Sequence, residues 1–115
     1  MSLTIYETID DIDFQPSYPA KGRDTGSDGR LIWEDSDKKG TKVVIWKAEP
    51  GLYVIPARDL DETFVIIEGE ALCSLNESEP VKITTGSIVH IAKGVAITLD
   101  VSKPLRKVAT IVLNP

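Results

Sequence analysis

At 115 residues the chain fits one domain with a core of its own, and 42% hydrophobic with 27% charged residues is an ordinary globular balance. A net charge of −5 argues against a nucleic-acid or anionic-membrane surface, both of which need clustered Lys and Arg. No apolar run approaches the ~20 residues that span a bilayer. The single Cys73 excludes an intramolecular disulfide, which fits a cytoplasmic protein.

In chain order, the opening MSLTIYETIDDIDF is acidic and has no apolar run of the kind a secretory signal needs. Residues 1–40 read as an irregular segment packing on the domain or on a partner, with LTIYETI and RLIWE as short strands at an edge or lying across it. KGRDTGSDGR is a polar, glycine-rich loop without a phosphate-cradling pattern, and EDSDKKG is a charged turn. Residues 41–115 are more regular. The strands expected are TKVVIWKA, ETFVIIEG, ALCSLN, SIVHIA, VAITLDV and KVATIVL, all rich in Val, Ile, Thr and aromatics. Turns are expected at residues 49–51, 68–70, 76–80, 85–86, 93–94 and 102–104. This rhythm implies an all-β sandwich or barrel.

Two strands disclose their facing. Val95, Ile97, Leu99 and Val101 alternate with Ala96, Thr98, Asp100 and Ser102, so one face is buried and one wet. ETFVIIEG carries Phe64 and Ile66 on one face and Val65 and Ile67 on the other. Both faces therefore want cover, the second from the N-terminal segment or another subunit, and a homodimer is expected.

Glu62 stands seven residues before Gly69, and Gly86 stands eight before Gly94. Trp46 on its strand, ETFVIIEGE over 62–70, GSIVHIAKG over 86–94 and Arg106-Lys107 before the last strand resemble a single-domain cupin. The nearest likeness is to the short cupins related to the C-terminal domain of (S)-ureidoglycine aminohydrolase. Ser87 and Ala92 depart from that pattern, which has Asp and Pro there. The resemblance implies an all-β, RmlC-like jelly-roll barrel, the double-stranded β-helix, with residues 43–112 as its body. It also implies a metal on three histidines and a glutamate. Laid on Glu62, the first two histidines fall on Pro56 and Arg58, or on Ile55 and Ala57 with the longer spacing, and the last falls on Ile97. Only Glu62 remains, too little for a metal site, so neither metal nor other cofactor is expected.

The candidate ligand-binding residues are then Glu62, Arg58, Lys107, Tyr53 and Trp46. A carboxylate facing into a barrel must be paired, hydrogen-bonded or protonated, and Arg58 is the nearest partner, with Lys107 second. Either these form a polar pocket in which a guanidinium replaces a metal, or Arg58 belongs to a solvated loop, PARDLDE. Trp33, Trp46 and Tyr53 either line a cavity or serve as core and interface aromatics. His90 reads as a structural strand histidine and Cys73 as a small buried hydrophobe. One His permits no triad using a second. Three functions follow: a metal-free cupin binding a small polar molecule, a metal-dependent enzyme resembling ureidoglycine aminohydrolase, or a structural dimer with no ligand.

Overall fold

The computed structural model describes residues 3, 5–9, 11–35 and 40–115. Those residues form eight strands and no helix: β1 (Gln15–Pro16), β2 (Ser27–Glu34), β3 (Thr41–Ala48), β4 (Gly51–Ile55), β5 (Leu60–Leu75), β6 (Val81–Thr84), β7 (Ile88–Ile91) and β8 (Ile97–Leu113). All pairings are antiparallel. No described helix is long and apolar enough to cross a membrane.

The barrel is built on two long strands. β5 and β8 pair along nearly their whole length, from Leu60 opposite Leu113 to Leu75 opposite Ile97. The first half of β5 also pairs with β7, and its second half with β6. The second half of β8 pairs with β3, and its first half with β4. Each long strand thus runs through both layers, giving the all-β jelly-roll expected.

The crossing from one layer to the other corrects two expectations. Residues 68–70 and 102–104 are not turns between strands; they face each other inside β5 and β8. The ladder shifts register between Ile66 and Glu68, between Glu68 and Glu70, and again before Ala71. Gly and Pro mark this place because a bulge needs the same backbone freedom as a turn. Gly69 takes φ +91°, and a Cβ there would lie 2.1 Å from the Pro104 carbonyl oxygen. Only glycine fits. A further correction concerns LTIYETI, whose described residues form no strand. GLYVI (51–55) and VKIT (81–84) form strands that are not among those expected. Most of EDSDKKG lies outside the described residues.

The inner row of β8 runs Ile97, Leu99, Val101, Leu105, Lys107, Ala109 and Ile111, all buried. The alternation read over 95–102 breaks at exposed residues 102–104 and resumes from Leu105 to Ile111, with Lys107 its one buried charged member. Phe64, Ile66 and Ile91 pack against this row, and each such side chain contributes about 1.5–3 kcal/mol on burial. On the outer face, Ile45, Val108, Val65 and Ile88 stand opposite one another in turn across β3, β8, β5 and β7. The N-terminal segment lies at the Ile45 end of that row. Tyr6 stacks on Arg30, the cross-strand neighbour of Ile45, and Asp11 binds both Lys47 and Arg106. The other end is open, with Ile88 74% exposed.

Candidate functional site

Strand parity brings the site together. Glu62 shares the inner face of β5 with Phe64 and Ile66, and Lys107 shares that of β8 with Leu105 and Ala109. Lys107 stands opposite Ile66 on one side and Trp46 of β3 on the other. Arg58 comes from the short connection between β4 and β5, four residues ahead of Glu62.

Both oxygens of the Glu62 carboxylate are occupied. Arg58 Nη2 donates to Oε1 at 2.6 Å, and Lys107 Nζ donates to Oε2 at 2.8 Å. Glu62 is 3% and Lys107 4% exposed, so this is a buried network with Arg58 reaching in from the mouth. Burial alone would raise the Glu62 carboxyl; Lys107 and then Arg58 outweigh it and hold the group below its usual range, as a carboxylate. Burial pushes the Lys107 ammonium down, and ionised Glu62 works against that shift. The ammonium also lies 4.1 Å from the centroid of the Phe64 ring and 5.1 Å from that of Trp46, within cation–π range.

These residues border a pocket of about 290 Å³ at one end of the barrel. Trp46, Arg58, Glu62 and Lys107 line it together, with apolar walls from Leu31, Val44, Ile55, Leu60 and Ile111. Trp46 is 5% exposed, and its indole N–H has no hydrogen-bond partner among the described residues. The fifth candidate, Tyr53, does not line this pocket. It is fully buried, packs edge-on against Trp46, and places its hydroxyl 2.7 Å from both the Gly26 and Glu49 carbonyl oxygens. There it ties the 20–26 loop to the turn before β4. Trp33 is half-exposed on β2, away from the pocket. Ile97 is buried in the core opposite Ile55.

Lys42, at the pocket mouth, is not among the expected site residues. Parity on β3 was the available signal, because Lys42, Val44 and Trp46 occupy alternate positions of one strand. Arg30 also borders the pocket, but its guanidinium stacks 4.5 Å from the centroid of the Tyr6 ring. His90 lies on the outer face, with Nδ1 2.8 Å from Thr63 Oγ1, and Cys73 is buried with its thiol pKa raised by burial.

The residues present do not fit a cupin metal. A divalent ion at Glu62 would face two cations already bonded to the only carboxylate. Among the described residues no group of three His, Cys, Asp or Glu side chains is arranged to hold one. The arrangement instead offers fixed hydrogen-bond donors beside an apolar wall, which can orient a polar molecule.

A family model described as the EutQ-like cupin domain matches residues 36–109. No curated protein matches the sequence. Among solved structures, KdgF from Halomonas sp. superposes with a TM-score of 0.75 at 14% identity, covering 99% of this chain and 96% of its own. A conserved protein with a double-stranded β-helix domain from Klebsiella pneumoniae gives 0.71 at 20% identity, covering 98% and 92%. The ethanolamine utilization protein EutQ of Salmonella typhimurium gives 0.68 at 16% identity, covering 89% and 98%. At these identities the likeness is one of fold.

Proposed function

The chain belongs to the family of EutQ-like cupin domains, and from that premise we propose that it binds a small polar molecule in the mouth of its barrel without a metal. The observation that carries this is the pairing of both Glu62 oxygens, one with Arg58 and one with Lys107. A buried ion pair is seldom the most stable filling for a barrel, since apolar residues of similar volume pack as well or better. This one borders a pocket of about 290 Å³, close to the lower end of the roughly 300–1,000 Å³ typical of small-molecule sites.

Titration of a chemically mixed fragment library, followed by amide and indole NMR shifts, tests the proposal. Binders are expected to move the signals of Arg58, Glu62 and Trp46, and Arg58→Ala to weaken them. If no fragment of any charge moves those signals, the reading fails and the barrel is a structural core. The narrower likeness to ureidoglycine aminohydrolase rests on Trp46, the Glu62 motif and Arg106-Lys107, and an enzyme of that kind would need metal ligands from elsewhere.

The same reading includes a homodimer in the cytoplasm. The apolar row that ends at exposed Ile88 supports the dimer, since a second copy could continue its cover. The lone thiol of Cys73 supports a reducing compartment.

A further inference from the structure

The charges at the pocket are unequal, and the inequality runs against the protein as a whole. Arg58 and Lys107 place two positive charges around the single negative charge of Glu62. Lys42 and Arg30 also border the pocket, whose one acidic lining residue among those described is Glu62, although Lys42 lines a neighbouring cleft with Glu34 and Asp35 as well. This happens in a chain whose net charge is −5. A concave, partly apolar site of one sign focuses its field on an entering ligand.

The donors are unequal too. Arg58 uses one guanidinium nitrogen on Glu62, and its Nε and Nη1 hydrogens have no protein acceptor among the described residues. The Trp46 indole N–H, buried at the same pocket, has none either. A buried donor without a partner costs about 1–3 kcal/mol, which an acceptor-rich ligand would recover. Glu62 offers little to a ligand's donors, because both its oxygens already accept charge-assisted bonds.

We infer that the ligand is a small organic carboxylate, held by the guanidinium of Arg58 and the indole N–H of Trp46, with its carbon skeleton against Leu31, Val44 and Ile55. This rests on the pocket reading above and adds the class of molecule. Arg58 would take the carboxylate by its planar edge, as guanidinium groups do. The apolar wall distinguishes an organic acid from inorganic phosphate, which has no carbon skeleton to bury.

The test uses the whole chain and matched probes: lactate, pyruvate and succinate; their neutral counterparts lactamide and succinamide; and inorganic phosphate. Binding is read by calorimetry and by the Trp46 Nε1–H resonance, assigned with Trp46→Phe. The carboxylates are expected to shift that resonance downfield and to bind at least ~10-fold more tightly than the amides, as charge-assisted bonds are stronger than neutral ones. Lys42→Ala, a change at the rim, is expected to weaken binding a few-fold and to flatten its salt dependence. If the amides bind as well as the acids, the carboxylate assignment is overturned while the pocket reading stands. Preferential binding of phosphate likewise overturns it in favour of an inorganic anion. If neither these probes nor any library fragment moves the pocket signals, both readings fall together.

Discussion

Lys107 Nζ and Glu62 Oε2 meet at 2.8 Å across 45 residues of sequence, and neither side chain is more than 5% exposed. The bond joins the two strands that build the barrel, so the charged group in the pocket is also a tie within the fold. Glu62→Gln keeps the shape but leaves buried Lys107, and Arg58 at the mouth, without a counter-charge. Breaking a buried pair in this way costs about 3–5 kcal/mol. Urea unfolding at neutral pH should show that loss in the midpoint.

Acid should have the same effect on the unaltered protein. The folded-state pKa of Glu62 is lowered: burial, the largest single influence, raises it, but Lys107 and then Arg58 together outweigh it. A carboxyl of this kind contributes stability that is fully present above its unfolded value, ~4.5, and is lost as pH falls through the lower folded value. Unfolding free energy measured from pH 7 down to pH 3 should therefore decline with acid. In Glu62→Gln the slope should be shallower; an equal slope would assign the acid sensitivity to other carboxylates.

The bulge makes a sharper demand on its glycine than the turns do on theirs. Gly69→Ala must relieve both a φ of +91° and a clash with the Pro104 carbonyl, so it should cost well over ~2 kcal/mol or shift the β5–β8 register. Gly86→Ala meets only a φ of +94° with nothing within 4 Å, and should cost about 1 kcal/mol. Thermal melts of the two variants should differ by several degrees.

Light scattering should give the mass of two chains. The surface named for the contact is the apolar row from Val65 to Ile88, so Ile88→Asp should shift the equilibrium toward monomer without unfolding the barrel. A wild-type monomer at high concentration would sink the dimer.

Protein purified without a histidine tag should carry no stoichiometric transition metal by elemental mass spectrometry. A stoichiometric metal that disappears in Glu62→Gln would reverse the metal-free reading and restore an enzyme hypothesis.

Much of this site was legible because strand parity is local. Glu62 lies on the same face as Phe64 and Ile66 whatever those strands pair with, and one face of ETFVIIEG must look into the core. The pairing partners were harder, because Glu62 meets Lys107 only through the long-range register of β5 on β8, which no short window contains. Glycine and proline signals located the bulge at Gly69 and Pro104 but could not separate a bend within a strand from a turn between strands. Tyr53 was ambiguous for another reason. A buried Tyr needs a partner for its hydroxyl, and nothing local distinguishes a ligand from the Gly26 and Glu49 carbonyls that stand there.

The pairing of Leu60 with Leu113 sets an order for biosynthesis. The ribosome releases β5 long before β8, and β3, β4 and β5 all take their principal neighbour from that last strand. The barrel therefore cannot close before β8 has been made, and its assembly has a high contact order. Until β8 arrives Glu62 has no Lys107 to pair with, and the pocket comes into being together with the fold.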